Sequence, residues 1–388
     1  MGCRMSNGTS ISEPAIRVLS LGAGVQSTVL ALMACDGTLP GLDAAVFADT
    51  GWEPPAVYEQ VDRLGAELAR VDIPLYRVSS GNLRADTLDP EARFVSVPWF
   101  TLAPKATEVP VYGVCAPCGG SGRGPSDEPD SCSVCGGDGR GSIVGTRLAT
   151  ATERHGMGRR QCTSEYKLKP IKVKVRELLG YPHPTPVPRD VFAEQWIGFS
   201  TDEIHRVRDR LDVNYSRPRY PLLELGMSRK DCQRWLERAG WGHTAKSACI
   251  GCPFHGNAQW RYMYERRDIC ATCNHPRDDH WRGFDEPKAC AHLYNRDQPE
   301  EIADLCMCKR FHSLWDDAVD FDRRIRKGGA SANPLDGEAF LHRSRVPLDL
   351  APIDRVTRAE YADMQLDLFE DGDPDGCSPY GCRSGEVA

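Results

Sequence analysis

The sequence predicts an α/β fold: a mostly parallel sheet with helices on both faces and two cysteine-rich, zinc-type insertions. Short β-prone runs alternate with amphipathic stretches, and a glycine-bearing turn follows the first run. Apolar periodicity then breaks off in two segments where Gly, Pro, Ser and Cys dominate.

Residues 16–20 (IRVLS) read as a strand, LGAG as the turn and 25–33 as a helix. Residues 44–48 (AAVFA) form a second strand ending at Asp49-Thr50-Gly51. In 56–71, Val57, Val61, Leu64 and Leu68 recur at helical spacing before a third strand at 74–78. Residues 169–179 resume as a helix and 194–199 (EQWIGF) as a strand. Ser228 caps a helix that runs to Ala239 and stops at Gly240. Two further helices, 258–266 and 313–326, flank the second irregular region. The expected organisation is a core of residues 16–100 and 146–265, insertions at 101–145 and 268–311, a helical part of the core at 312–364, and an acidic, mobile tail at 365–388.

A chain of 388 residues suits one elaborated domain or two small ones. It has no run of 18 apolar residues, and its polar start, MGCRMSNGTSISEP, lacks the apolar region of a secretory signal, so a cytoplasmic protein without a membrane partner is expected. Seventeen cysteines, many in C-x-x-C pairs, fit metal binding in a reducing compartment better than disulfides. The net charge of −7 hides a basic segment: residues 140–180 carry ten Lys and Arg against three Glu, a candidate anion site rather than a general nucleic-acid surface.

The turn after the first strand, Ser20-Leu21-Gly22-Ala23-Gly24-Val25-Gln26-Ser27-Thr28, is where an open α/β sheet binds anions. Gly22 and Gly24 supply unusual dihedrals and close approach, while Ser20, Ser27 and Thr28 supply hydroxyl donors. The turn lacks the Walker lysine and the full G-x-G-x-x-G pattern, and a tight turn without ligand is the plain alternative.

Four ordered motifs carry a resemblance. The turn resembles the PP-loop of adenine nucleotide alpha hydrolases, and Phe47-Ala48-Asp49-Thr50-Gly51-Trp52-Glu53 resembles the D-T-G-x-E motif of the phosphoadenosine phosphosulfate (PAPS) reductase branch. Arg160-Gln161-Cys162-Thr163-Ser164-Glu165-Tyr166-Lys167 through Pro170 is similar to that branch's Cys and R/K-x-x-P segment. Trp196-Ile197-Gly198-Phe199-Ser200-Thr201-Asp202-Glu203 with Arg206 is similar to its G-x-x-x-x-E-x-x-R strand end. The resemblance implies a Rossmann-like sheet whose loop holds the phosphates of an adenine nucleotide, ATP or PAPS. Thr50, Gly51, Glu53, Glu203 and Arg206 are then nucleotide-site residues, and Arg159, Arg160, Lys167 and Lys169 could neutralise the phosphates. Asp49 could bind Mg²⁺ or the ribose, or cap the next helix. One departure stands out: many ATP-splitting members carry S-G-G-x-D-S, and this chain has Gln26 before Ser27.

The cysteines fall into three sets. Cys115-x-x-Cys118 and Cys132-x-x-Cys135, each followed by glycines, read as a closed tetrahedral zinc site and resemble the knuckles of the DnaJ-type cysteine-rich module. Cys270, Cys273, Cys290 and Cys308 are the favoured ligands of a second zinc, with Cys306, His275, His280 and His292 nearby. Cys249-Ile250-Gly251-Cys252 lies within the stretch resembling the enzyme family. With Cys162 it is the set the resemblance suggests for a [4Fe-4S] cluster, zinc or a redox-active pair being the alternatives. Cys35 and Cys232 read as packing residues on helices.

Gln365-Leu366-Asp367-Leu368-Phe369 is very similar to the Q-L-[SD]-L-F peptide by which bacterial DNA enzymes dock on the sliding clamp, the alternative being a short segment packed on the body. Taken together, the expectation is an ATP-dependent enzyme that modifies nucleic acid with sulfur. In a sulfonucleotide reductase, the second reading, the Cys382 thiolate would attack the sulfonate sulfur and release the nucleotide. A non-catalytic, zinc-stabilised adaptor at DNA or its clamp is the third.

Overall fold

The computed structural model describes residues 13–92, 97–103, 108–121, 123, 132–135, 138–148, 154–271, 274, 276–277, 280–282, 287–290, 312–329, 335, 337–358 and 360. The chain opens with β1 (Ile16–Leu21), α1 (Val25–Cys35), β2 (Ala44–Asp49), α2 (Pro55–Ala69), β3 (Leu75–Ser79) and the short α3 (Leu83–Leu88). β4 (Phe100–Leu102), β5 (Glu108–Val114), β6 (Arg140–Leu148) and β7 (His155–Met157) follow. A π-helical turn, Cys162–Leu168, runs directly into α4 (Lys169–Leu178), and β8 (Ala193–Trp196) leads to a 3-10 turn, Thr201–Arg206. Beyond it come β9 (Ser216–Arg219), α5 (Pro221–Glu224), α6 (Arg229–Arg238) and α7 (Asn257–Glu265). β10 (His280–Arg282), β11 (Pro287–Cys290), α8 (Leu314–Arg324), β12 (Glu338–Phe340) and a 3-10 turn at Leu348–Leu350 complete the described elements.

The core is a five-stranded sheet in the order β3-β2-β1-β8-β9, every described pair parallel. Alternate side chains of each strand face opposite ways. Leu19, Leu21, Ala45, Phe47 and Trp196 pack with Val29, Leu30, Val57, Val61, Leu64 and Leu68 of α1 and α2 and with Cys232 and Leu236 of α6. Val18, Val46, Ala48 and Ala193 pack on the other face against Ile171 and Val175 of α4. The four positions of α2 read as one apolar stripe are all fully buried, which is what a helix lying along a sheet requires.

Three details refine the expected outline. The sheet is wholly parallel rather than mostly so, because the antiparallel pairings lie in separate small sheets: β12-β4-β7, β5-β6 and β10-β11. The strand expected over 194–199 stops at Trp196, where Ile197 still donates to Arg219 O but Phe199 folds back onto Ile197 O. A third apolar cluster joins the end of β2 to α7 and α8: Trp52, Tyr166, Cys249 and Ile250 pack with Trp260, Met263, Trp315, Val319 and Phe321. Trp52 Nε1 donates to Asp317 Oδ2 at 2.6 Å, fixing α8 to the D-T-G-x-E segment. Among the described residues no helix is long and apolar enough to cross a membrane.

Candidate functional site

From β1 the strand order proceeds outward through β2 and β3 on one side and through β8 and β9 on the other. The connections after β1 and β8 therefore diverge and leave a crevice at the C-terminal ends of these strands, where open parallel sheets bind ligands. An open cleft of about 130 Å³ lies there. Its lining comes from the first loop (Ser20, Gly22, Gly24, Val25, Gln26, Ser27), from beyond β8 (Gly198, Glu203), from α6 (Arg229, Gln233) and from the segment Thr244, Lys246, Ser247.

The loop is braced from behind. Ala23 takes the left-handed backbone (φ 56°), the role expected of its glycine neighbours, whereas Gly24 is extended and caps α1 with no side-chain bond. The first-turn N–H groups of α1 consequently lack intrahelical acceptors and carry the positive end of the helix dipole. Buried Gln60 donates from Nε2 to Ala23 O (2.8 Å) and to Thr28 Oγ1 (2.9 Å), and its Oε1 accepts from Ala245 N (2.5 Å). Thr28 is thereby a brace and does not line the cleft. Gln195 Nε2 donates to Ser20 Oγ at 2.7 Å and is held in turn by Ser216. Gly198 sits so close that a Cβ would stand 3.0 Å from Ser27 N, a contact only glycine leaves free.

Gln26, the departure from the S-G-G-x-D-S pattern, is occupied: its Nε2 donates to Glu203 Oε2 at 3.2 Å and reaches Ser200 Oγ at 3.5 Å. Glu203 also pairs with Arg206, whose guanidinium stacks over Phe199. Glu203 lines the cleft, while Arg206 supports it from outside the lining. Asp49, Thr50, Gly51, Glu53, Arg160 and Lys167 do not line this cleft either. Asp49 Oδ1 accepts from Gly51 N (2.7 Å) and Tyr58 Oη (2.8 Å), which shapes the turn; Arg160 lies over the Phe254 ring.

A second constellation forms beside the cleft, around Glu53. Its carboxylate is buried, with Lys167 Nζ at 3.6 Å, Thr50 Oγ1 at 3.1 Å and the Cys249 thiol donating at 3.5 Å, while Oε2 has no hydrogen-bond partner. The 249–252 turn is docked here by Ile250 N donating to Trp52 O at 3.0 Å. Gly251 permits the docking, since a Cβ would meet the Trp52 ring at 2.1 Å. Cys162, at the head of the π-helical turn, packs half-buried against the apolar cluster that contains Cys249. The 86 intervening residues are thus spanned. His255 Nε2 contacts Cys249 O at 2.9 Å and its ring stands edge-on to Trp260; burial, then the Lys246 charge, lowers its pKa to about 3.

The first cysteine set is gathered as its spacing predicts. Cys115, Cys118, Cys132 and Cys135 bring their sulfurs within 4.8 Å of one another, with Cys115–Cys132 at 3.9 Å and Cys118–Cys135 at 3.7 Å. A tetrahedron with Zn–S bonds of about 2.3 Å has edges of about 3.8 Å, so the four thiols can hold a metal ion such as zinc. Backbone N–H groups of Cys135 and Val134 lower the Cys132 pKa, favouring the thiolate a metal needs. Among the described residues no other His, Cys, Asp or Glu set is drawn together this closely, so Cys162, Cys249 and Cys252 do not form the compact arrangement of a zinc site. Of the second expected zinc set, Cys270 is buried and Cys290 ends β11. Cys273 and Cys308 lie outside the described residues, as do Cys382 and the Gln365–Phe369 peptide. Cys35 and Cys232 pack in or against the α1/α6 core, burial raising their pKa values to about 11 and about 12.

Sequence reasoning missed Gln60, Arg229, Gln233, Thr244, Lys246 and Ser247, which stand in no motif. One local signal was present: Arg229 is the first residue of α6, where a cation opposes the helix dipole.

No protein-family model matches the chain, and the curated proteins and solved structures compared with it yield no match.

Proposed function

We propose that the protein is a PP-loop enzyme of the PAPS reductase-like branch, with a Rossmann-like core, that binds an adenine nucleotide and carries out ATP-dependent sulfur modification of nucleic acid. The observation that carries the reading is the cleft at the β1/β8 divergence, where the uncapped N-terminus of α1 faces donors with no protein acceptor. Such a wall selects an anion of phosphate type. The α1 N–H groups, Ser27 and Ser20 would seat a phosphoryl group, and Gly198 leaves the approach open. The tie of Gln60 to Ala23, Thr28 and Ala245 holds the loop and the facing segment at a constant separation before ligand arrives.

Cys162, Cys249 and Cys252 suit an iron–sulfur cluster: they are soft donors, Cys249 within and Cys162 against one apolar cluster, with Cys252 N hydrogen-bonded to Cys249 O in the same turn. Such a cluster, when bound, offers an iron site for sulfide or an electron. The chain's own part is to exclude water there with Trp52, Tyr166 and Trp260, and to hold the Glu53–Lys167 pair against the Cys249 thiol. Zinc at Cys115, Cys118, Cys132 and Cys135 has a structural role in this reading, its four positions all filled by protein. The sliding clamp is the partner proposed for Gln365–Phe369, and DNA the substrate that docking would bring.

Anaerobic purification followed by nucleotide titration and assay of iron, zinc and acid-labile sulfide tests the reading. Expected are ATP binding, about four irons with matching sulfide, and loss of both irons and sulfide in Cys249→Ser with zinc retained. Zinc alone, no nucleotide binding and tight DNA binding would replace it with the adaptor. Binding of PAPS with release of 3′,5′-ADP, and no turnover of ATP, would replace it with the sulfonucleotide reductase.

A further inference from the structure

We propose that Arg229 and Ser247 form a second anion seat facing the α1 N-terminus, and that this seat takes the tetrahedral oxyanion linked to a nucleotide's α-phosphate. The inference rests on the nucleotide reading above and adds the group that the far wall recognises. Its starting point is a charge placed where folding alone disfavours it. Arg229 is 8% exposed, and its Nε has no hydrogen-bond partner. It also occupies the first position of α6, where the helix dipole is positive. A buried guanidinium is ordinarily paired.

The acids nearby are engaged elsewhere. Asp202 Oδ2 accepts from the Arg229 backbone N and from Ser200 Oγ. Asp231 completes the capping box with Ser228 and pairs with Arg234, and Glu203 pairs with Arg206. Ser247 repeats the pattern on a different element: 5% exposed, its Oγ without a partner, and its Cβ 3.6 Å from where a Gly24 Cβ would stand. Two buried, unsatisfied donors from separate segments thus meet the open helix end across one cleft. One phosphoryl group is answered by the α1 N–H groups. A second oxyanion accounts for the guanidinium.

Either a β-phosphate or a sulfonate has the required shape and charge, and the test separates them. Calorimetric titration of the full chain uses inorganic pyrophosphate, ADP, AMP and adenosine 5′-phosphosulfate, against wild type, Arg229→Gln, Arg229→Lys and Ser247→Ala. The wild type is expected to bind pyrophosphate, and to bind ADP or the phosphosulfate more tightly than AMP; which of the two binds more tightly identifies the second group. Arg229→Gln should weaken that ligand and pyrophosphate by about 10- to 100-fold and leave AMP unchanged, with Arg229→Lys between. Ser247→Ala should weaken them by about 3- to 10-fold. Thermal midpoints without ligand should hold or rise, because neither removed group has a protein acceptor; a merely structural role would lower them. Equal losses for AMP and ADP, or none, would overturn the seat while the nucleotide reading stands. Pyrophosphate binding that depends on Arg229 without binding of any nucleotide would support the seat and overturn the nucleotide reading. A wild type that binds none of the four probes overturns both.

Discussion

The cysteines at the tip of the β5–β6 hairpin and those around Cys249 are assembled by different forces. Among the described residues of the hairpin, Val114 and Val144 are 68% and 70% exposed while Cys115 and Cys132 are buried, and four thiols converge through two tight C-x-x-C turns. Around Cys249 the order is reversed. An apolar cluster built from many separate segments draws Cys162 and the 249–252 turn to one place, and polar groups are trapped inside it. A metal site can therefore hold up a segment that packing cannot, whereas packing can position thiols that spacing cannot.

For a hairpin loaded with zinc, removing the ion should break the comparison most visibly. Structural zinc contributes on the order of 10 kcal/mol to a small module. Chelation or Cys115→Ser should abolish amide-exchange protection in β5 and β6 and leave β1, β2 and α2 protected. Equal loss in the core would show the two regions to be one cooperative unit.

Next in size is the buried pair beside Cys249. Glu53→Gln removes the carboxylate that faces the Lys167 ammonium at a site where the two side chains are 1% and 6% exposed. That should cost about 3–5 kcal/mol in urea unfolding, with zinc content unchanged. The double variant Glu53→Gln/Lys167→Met should recover most of the loss.

Acid sharpens the same contrast. The folded pKa of His255, about 3, lies below the ordinary value of about 6.5. The unfolded chain therefore binds the proton first. Stability from this group is complete above about pH 6.5 and declines as pH falls toward 3, by about 2 kcal/mol at pH 5. Unfolding at pH 7 and pH 5 should show that decline in wild type and a flatter dependence in His255→Gln.

The smallest effect is expected at Gly198→Ala. The added methyl meets Ser27 N at 3.0 Å and must move the loop by a few tenths of an ångström, at a cost of about 1 kcal/mol. Nucleotide affinity should fall about fivefold with little change in melting. Unaltered affinity would place the ligand away from the β1/β8 crevice.

Much of the fold was legible because its signals are local. Val57, Val61, Leu64 and Leu68 announce α2, and Ser228 announces α6 as its N-cap, to which the structure adds a capping box with Asp231. β9 was hidden: SRPR has neither alternation nor β-branched residues, and its proline is tolerated because the strand lies at the sheet edge. The three-stranded sheet was hidden as well, since its strands of three residues each come from positions 100, 155 and 338. The candidate site divides along the same line. Ser20, Gly22, Gly24, Gln26, Ser27 and Glu203 were readable as lining; Arg229, Lys246 and Ser247 were not.

By itself the sequence determined the gathering of the four hairpin thiols, the loop after β1 and the apolar stripes that close the core. Each depends on spacings within about twenty residues, and backbone geometry turns such spacings into positions directly. Only the tertiary structure decided that Gln26 is engaged by Glu203 and Thr28 by Gln60, that Glu53 meets Lys167 and Cys249, and that Arg229 and Ser247 face the loop. Those contacts join positions 32 to 223 residues apart in sequence only because the sheet orders β8 beside β1 and the apolar clusters close over both. Partnership between distant groups is settled by packing, and local pattern carries no record of it.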